Sequence, residues 1–258
     1  MLKNMFSRRW WPTSLLVLGA IALTVRLGIW QLDRLGQRRE FNAHVRAMQA
    51  APVLVLTGEV PSADLETMEY RAVSAEGIYD FAHQVAIRNQ AWAQDWGYEP
   101  GFALLTPLLL EDGAAVLVER GWIPARQDSP EAWRQFDQPG KVTVSGIIRL
   151  PLEQGEMGGG VPDPTLAPGQ SGLDFWNLVD IERIRLQVPY ALLPVYIQQA
   201  PGPDGTGLPY RALPELDLTD GPHLGYAFQW FTFAALLFFG YPVYLRKQAE
   251  SEAARLRR

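Results

Sequence analysis

Two long apolar runs, one near each end of the chain, restrict its architecture more than any other feature. The first covers residues 10–30 and contains one charged residue, Arg26, close to its end, and the second covers residues 223–245 without Asp, Glu, Lys or Arg. As single helices, each run would be more than about 30 Å long at about 1.5 Å per residue, which is enough to cross the hydrocarbon core of a bilayer. The sequence therefore predicts transmembrane helices over residues 10–30 and 223–245.

The first run also begins as a cleavable signal peptide does, with basic residues before an apolar stretch. No clear small-x-small cleavage site stands before Trp30, and the run is long, so we expect a retained anchor. Arg26 lies about one turn from the end and can extend its charged group to the surface. Aromatic residues of the kind found at membrane interfaces stand near the ends of both runs, namely Trp10, Trp11, Trp30, Tyr226, Trp230, Tyr241 and Tyr244.

The charges are strongly segregated along the chain. Outside residues 31–223 there are nine Lys or Arg and two Glu, whereas residues 31–223 hold 14 basic and 26 acidic residues, a net charge of −12. Basic segments next to membrane spans remain in the cytoplasm. The pattern predicts a cytoplasmic N-terminus over residues 1–9, a basic cytoplasmic tail over residues 246–258, and an extracytoplasmic middle.

The middle of the chain has the alternation of a β-rich domain over residues 51–222. Before it, residues 31–50 place apolar side chains at near-helical spacing, which predicts an amphipathic extension of the first helix. The fold class we predict is a membrane-anchored α+β protein, in which two transmembrane helices flank an antiparallel β-rich extracytoplasmic domain. Predicted strands cover residues 53–59, 70–79, 84–92, 102–110, 115–123, 141–150 and 194–200.

Three connections within the domain have their own signals. Glu111-Asp112-Gly113 separates two apolar runs and predicts a short hairpin. Residues 175–188 indicate a strand end that leads into a short helix. The stretch from Gly155 to Gly172 is rich in glycine and proline, which predicts a flexible loop.

Signals of enzyme chemistry are weak. The absence of cysteine excludes a thiol nucleophile, a thiolate zinc site and an iron–sulfur cluster. The three histidines, His44, His83 and His223, form no i, i+4 pair that could hold zinc. The run Gly158-Gly159-Gly160 lacks the strand and helix that a phosphate-binding loop requires. We predict no catalytic residues and no enzymatic activity.

The residues with binding potential stand where the two spans reach the outer surface. Since both helices have this end on the same side, Trp30, Arg34 and His223 should lie at similar depth. A neutral imidazole can ligate haem iron, arginines can pair with propionates, and aromatic rings can cover the macrocycle. Lipid contact and helix packing explain the same residues without a ligand, and residues alone leave both readings open. The relevant side chains are Trp30, Gln31, Arg34, Arg38, His223, Tyr226, Trp230 and Phe233.

Five motifs, taken in order along the whole chain, resemble the Surfeit-locus-one (SURF1-like) family of cytochrome c oxidase assembly proteins. The most specific are the RGW at residues 120–122 and the pattern HLxYAxQW that begins at His223. The full set is LGIWQLDRL, VLVERGWIP, GIIRLP, PVYI and HLGYAFQWF.

The resemblance implies a function in oxidase assembly, namely inserting or stabilising haem a in subunit I of a haem–copper oxidase. Bacterial members look like haem a binding proteins whose histidine maps onto His223, which would also be the metal ligand. The implied cofactor-binding residues are His223, Trp30, Arg34, Tyr226 and Trp230. The family motifs also map onto Gly28, Gln31, Arg38, Arg120, Gly121 and Trp122.

The same resemblance implies partners and a location. The partners would be cytochrome c oxidase subunit I, membrane lipid and, as a further candidate, a haem a synthase, with no nucleic acid. The location would be the bacterial plasma (inner) membrane, crossed twice, with both termini cytoplasmic. In one position the chain departs from the family pattern, because Gly221-Pro222 stands where the family often has an asparagine shortly before the histidine.

Two alternatives stay open at this stage. The protein could instead be a scaffold that binds no haem and stabilises assembly intermediates of subunit I through protein contacts. The RGW motif could be purely structural, a turn at a strand end in which Gly121 adopts a backbone conformation closed to other residues and Trp122 lies in the core.

Overall fold

The computed structural model describes residues 7–56, 62–94, 97–151, 165–166, 172–202 and 207–256. The chain divides into two compact units, Met1–His44 with Asp217–Arg258, and Val45–Leu216. The helices and strands in chain order are α1 (Trp11–Ala50), β1 (Leu54–Leu56), α2 (Ser62–Leu65), β2 (Ala72–Tyr79), β3 (Val85–Gln94), β4 (Gly97–Leu109), β5 (Ala115–Pro124), α3 (Pro130–Trp133), β6 (Lys141–Arg149), β7 (Phe175–Trp176), α4 (Ile181–Ile184), β8 (Leu192–Gln199) and α5 (His223–Leu256).

Both terminal helices are long and apolar enough to cross a membrane. In the most apolar 18-residue stretch of α1, only 6% of the residues are buried within the protein. In the corresponding stretch of α5, 11% are buried. Large apolar side chains such as Leu16, Phe228 and Phe239 are therefore exposed. A core helix of a water-soluble domain would bury such an apolar stretch. The exposure of these apolar side chains is therefore the pattern expected of helices surrounded by lipid.

Helices α1 and α5 pack against each other in antiparallel directions. Near the start of α1, the Ser14 hydroxyl lies 2.7 Å from the hydroxyl of Tyr241, which is late in α5. Further along α1, Gly28 meets the ring of Phe231, and a Cβ atom at Gly28 would come within 2.7 Å of that ring. The missing side chain lets the two helices approach closely at this level, as small residues do in membrane helix pairs.

The other unit is built on a sheet that closes on itself. Strand β2 pairs with β6 and with β4, and the remaining pairs β6–β8, β8–β5 and β5–β4 complete a ring of five strands. Strands β1, β3 and β7 extend the sheet beyond this ring. The result is a small closed barrel, and we call this unit the barrel domain.

The sheet is mixed, so the predicted antiparallel domain was partly wrong. The pairs β1–β2, β3–β7 and β5–β8 are parallel, and the pairs β2–β4, β2–β6, β3–β4, β4–β5 and β6–β8 are antiparallel. Parallel neighbours require long crossovers, which leave no turn signature in the sequence. Such a crossover connects β5 to β8 and includes β6, β7 and α4.

Strand β5 lies at the centre of the hydrophobic core. Val116 and Val118 contribute to the cluster inside the barrel, whereas Leu117 points the other way into a second cluster with Trp176 and Ile184. Nearly every residue of β5 is buried, because both of its faces are covered.

The predicted strands all correspond to observed ones, and the Glu111–Gly113 hairpin between β4 and β5 is confirmed, with Gly113 at φ +88°. The prediction for residues 175–188 is also confirmed, as β7 followed by α4. Most of the predicted loop between Gly155 and Gly172 lies outside the described residues.

Candidate functional site

A pocket of about 410 Å³ lies beside the first residues of α5, and we call it the His223 pocket. Four of its residues come from α1 at i, i+3, i+4 and i+7, a spacing that places them on one helix face. The others stand at and just before the start of α5. The lining residues are Arg34, Gln37, Arg38, Phe41, Gly221 and His223.

The segment before α5 is attached to α1 by side chain to backbone hydrogen bonds. Asn42 Nδ2 donates to the carbonyl oxygens of Leu218, at 3.1 Å, and Thr219, at 3.0 Å. Arg38 Nε donates to the Thr219 carbonyl at 3.2 Å, and its Nη2 donates to the carbonyl of Asp217. These bonds fix the chain that carries Gly221 and His223 onto the pocket.

Two carboxylates near the pocket are already engaged. The backbone N–H of Thr219 donates to Asp217 Oδ1 at 2.9 Å and holds the pKa of that carboxyl below its ordinary value. Arg39 Nε lies 2.8 Å from Asp220 Oδ2. Neither carboxylate is among the residues that line the pocket.

The imidazole of His223 is bound from the opposite helix. Its Nδ1 lies 2.9 Å from Gln31 Oε1, and Gln31 is 9% exposed. His223 itself is half-buried at the pocket wall. The ring is therefore held at one nitrogen while its opposite edge stays next to the pocket.

The pocket is electropositive, since its described lining contains two arginines and no carboxylate. Arg34 is exposed, and its Nη1 donates to Gln37 Oε1 at 2.7 Å, which leaves other guanidinium N–H groups for a ligand. The Arg38 guanidinium lies 5.6 Å from the centre of the Phe41 ring. An anionic group, such as a carboxylate, is the ligand chemistry that these side chains favour.

The structure brings together some of the residues singled out from the sequence. His223, Arg34 and Arg38 line one pocket, and Gln31 contacts the histidine. The three aromatic candidates do not line it: Trp30 is 45% exposed, Tyr226 is 47% exposed, and the half-buried Trp230 packs its ring against Phe233.

Sequence reasoning missed three lining residues, Gln37, Phe41 and Gly221. The first two had a usable signal, because they share the helix face of Arg34 and Arg38. Gly221 had a weaker one, as a glycine next to a proline just before a helix.

The RGW motif lies in the barrel domain and has a structural function there. Arg120 is fully buried, and its Nη1 donates to Gln84 Oε1 at 2.9 Å while its Nη2 donates to the Phe136 carbonyl. Burial lowers the pKa of the Arg120 guanidinium. Its charge also lies over the rings of Tyr79 and Phe81, at 4.9 and 5.1 Å from their centres.

The structural interpretation of Gly121 and Trp122 is confirmed in part. Gly121 has φ +129°, and Trp122 is 4% exposed. The motif does not form a turn at a strand end, however. It forms a β-bulge inside β5, where the register against β4 shifts between Leu104 and Leu105.

Among the described residues, no group of three or more His, Cys, Asp or Glu side chains could hold a metal ion.

The fold and the pocket together define a class of protein: a closed barrel whose sequence lies between those of two paired apolar helices, and a histidine–arginine pocket formed within the helix pair. The comparison with known families agrees, since the family model described as "SURF1 family" matches residues 18–235. The chain belongs to the SURF1 family.

Relatives with related names match the chain over different lengths. A SURF1-like protein of Caenorhabditis briggsae is 25% identical over 89% of this chain and 75% of its own length. Surfeit locus protein 1 of Takifugu rubripes is 28% identical over 50% of this chain and 58% of its own. The Rattus norvegicus protein of the same name is 29% identical over 48% of this chain and 44% of its own. The alignments with these two vertebrate proteins thus span about half of each.

Proposed function

We propose that this protein is an assembly factor for a haem–copper cytochrome c oxidase and that it holds haem a for subunit I in the His223 pocket. One observation carries the proposal, the position of an imidazole and two guanidinium groups around a single pocket. These groups belong to His223, Arg34 and Arg38. An imidazole can ligate the iron of a carboxylated metalloporphyrin, and guanidinium groups can pair with its carboxylates.

The residues present fit such a group. When bound, haem a would supply an iron atom that accepts one imidazole nitrogen and two propionates that accept guanidinium N–H groups. His223 Nδ1 is already engaged by Gln31, so the other ring nitrogen is the one for the iron. Arg34 and Arg38 would hold the propionates, and no lining carboxylate opposes them.

Aromatic side chains near the same helix ends complete the proposed site. Trp30 and Tyr226 each expose nearly half of their surface, and Trp230 lies one turn further along α5. We propose that their rings would contact apolar parts of the macrocycle that extend beyond the pocket.

The proposal includes a location and a mode of action. Helices α1 and α5 would cross the plasma (inner) membrane of a bacterium, with both basic ends in the cytoplasm and the acidic barrel domain outside. Oxidase subunit I would receive the haem, a haem a synthase could deliver it, and lipid would surround the helices. The protein would bind and release haem without catalysing a reaction.

The test is an absorption spectrum of the full chain purified in detergent from cells that make haem a. We expect a haem band in the wild-type protein and a loss of at least about tenfold in His223→Ala, because the proposed iron ligand is removed. His44→Ala is the matched control, since His44 lies in α1 but does not line the pocket. Circular dichroism would show that each variant is folded.

A second outcome would favour a scaffold that binds no haem. In that case His223→Ala would have the same spectrum as the wild type and would support oxidase assembly in cells to the same extent. An unchanged spectrum would overturn His223 as the proposed ligand, and unchanged assembly would overturn a function of that ligand in assembly.

A further inference from the structure

We infer that Gln31 is the positioning residue that fixes the tautomer and orientation of His223 for metal binding. The inference rests on the proposed function for its purpose, but its structural content can be tested without haem. Histidine ligands of metals generally donate their second ring N–H to an oxygen acceptor. In this chain, that acceptor comes from the opposite helix.

The hydrogen bond determines which ring nitrogen carries the proton. Gln31 Oε1 lies 2.9 Å from His223 Nδ1, and an amide oxygen can only accept. We therefore assign Nδ1 as the donor. In the neutral ring the lone pair then resides on Nε2, the nitrogen left for a metal.

The Gln31 side chain is held in place by the packing of its own helix. Gly28, one turn before it, contacts the Phe231 ring of α5 with no side chain between them. Leu35, one turn after it, is 5% exposed. Gln31 is itself 9% exposed, and the hydrogen bond between its Oε1 and His223 Nδ1 directs its amide at α5.

The edge of the imidazole that carries Nε2 is kept clear by a glycine. A Cβ atom at Gly221 would lie 3.7 Å from His223 Nε2 and 3.5 Å from its Cδ2. Gly221 also lines the pocket, so the glycine borders the approach to the nitrogen that Gln31 leaves unprotonated.

The hydrogen bond between His223 and Gln31 takes the place of one to a polar side chain immediately before the histidine. Gly221 and Pro222 cannot supply a side-chain acceptor, and Pro222 has no N–H group. The carbonyl oxygen of Pro222 accepts the first hydrogen bond of α5, from the backbone N–H of Tyr226 at 3.1 Å, so it serves the helix and not the imidazole. Orientation of the ring therefore depends on the pairing of α1 with α5.

The first experiment measures the tautomer of His223 in the haem-free full chain, in detergent micelles, by NMR of ¹⁵N-labelled histidine. The spectra are recorded at a pH of about 8.5, where histidine side chains in general are neutral. The chain has only 3 histidines, so His223→Ala identifies the signal. We expect hydrogen on Nδ1 in the wild type and on Nε2 for most molecules of Gln31→Leu. The same tautomer in both proteins would overturn the inference.

The second experiment measures the affinity and reduction potential of added ferric protoporphyrin. We expect Gln31→Leu to bind about 10 to 100 times more weakly than the wild type, as is typical when the partner of a metal ligand is removed. Gln31→Glu restores an acceptor and should recover binding with a lower potential, because a carboxylate makes the imidazole more basic. Gln229→Leu, at an exposed position of α5, is the control and should bind as the wild type does.

The two experiments separate the inference from the proposed function. A wild-type protein that binds no porphyrin would contradict the proposed function, and the NMR result would still decide the inference about Gln31. A wild-type protein that binds through His223, with Gln31→Leu equal to it in tautomer, affinity and potential, would overturn the inference alone.

Discussion

The hydroxyl groups of Ser14 and Tyr241 lie 2.7 Å apart, in a hydrogen bond between α1 and α5 that is buried in the apolar part of the helix pair. Ser14 is 1% exposed and Tyr241 is 9% exposed. Such bonds between membrane helices contribute about 0.6 kcal/mol on average and up to about 1.7 kcal/mol. The bond therefore helps to hold the pair in the register that also brings Gln31 to His223.

We predict that Ser14→Ala and Tyr241→Phe are coupled. A double-mutant cycle on thermal or chemical unfolding of the full chain in micelles should give a coupling free energy of about 0.6–1.7 kcal/mol. The cycle cancels the other contacts of each side chain. Thr24→Val is the control, because the Thr24 hydroxyl donates to carbonyls of its own helix, and it should not couple to Tyr241→Phe. Strictly additive effects of Ser14→Ala and Tyr241→Phe would contradict the prediction.

Gly121→Ala should destabilise the barrel domain more than Gly113→Ala does. Both glycines have positive φ, +129° and +88°, a conformation that costs other residues about 1–2 kcal/mol. Only at Gly121 would the new Cβ also meet backbone, 2.6 Å from the Tyr210 carbonyl oxygen, whereas Gly113 has nothing within 4 Å. Overpacking of this kind adds about 1–3 kcal/mol.

Unfolding in urea, followed by circular dichroism, measures both glycine variants. Equal losses of unfolding free energy would show that the contact with the segment at Tyr210 relaxes without cost, and the bulge would then be less rigid than we infer.

Arg120→Met should lower the unfolding free energy by more than about 3 kcal/mol. The substitution removes the charged hydrogen bonds to Gln84 and the Phe136 carbonyl, each worth about 1.5–3 kcal/mol, in a fully buried position. Arg126→Met is the control: Arg126 is 68% exposed, lies 3.3 Å from Glu99, and should contribute less than about 1 kcal/mol.

The same comparison bears on the scaffold hypothesis. If Arg120→Met reduces oxidase assembly and also unfolds, the assembly defect follows from lost folding and not from a lost partner contact. A variant with wild-type stability would contradict our assignment of Arg120 to the core.

The stability of the barrel domain should fall at acidic pH through Asp80. Burial by itself raises the pKa of this carboxyl, but hydrogen bonds outweigh it: Asp80 Oδ2 lies 2.7 Å from His83 Nδ1 and accepts from Tyr190 Oη at 2.8 Å. The net pKa is below the ordinary value. The stabilisation is thus fully present above the unfolded pKa, about 3.9, and is lost as the pH falls through the lower folded value.

We expect the wild type to lose more unfolding free energy than Asp80→Asn when the pH falls from about 5 to about 2.5, across the carboxyl range. Tyr190→Phe, which removes one of the donors, should reduce the difference without abolishing it. Parallel pH profiles for the wild type and Asp80→Asn would refute the assignment.

The strands could be predicted because their signals are local. Alternation in runs such as residues 141–150 and the turn residues Glu111-Asp112-Gly113 depend only on neighbours in sequence. The parallel partners β5 and β8 could not be predicted in this way. Val118 pairs with Ile197, and their register is set by packing across the barrel.

The candidate site shows the same division. The position of His223 at the start of an apolar run placed it at the same depth as Arg34, and both line the pocket. Depth does not specify rotation about the helix axis, however. Neighbouring residues point about 100° apart at 3.6 residues per turn, so Gln31 faces α5 while the side chain of Trp30 remains nearly half exposed.

The sequence by itself determined that the chain has two apolar helices around a strand-rich, acidic middle, and that thiolate chemistry is excluded. These properties follow from periodicity, charge and composition, each of which is read within one segment. Only the tertiary structure decided that the sheet closes into a mixed barrel and that Gln31 meets His223, 192 positions away. Contacts between distant segments depend on how residues such as Gly28 and Phe231 pack, and that information is not local to any segment.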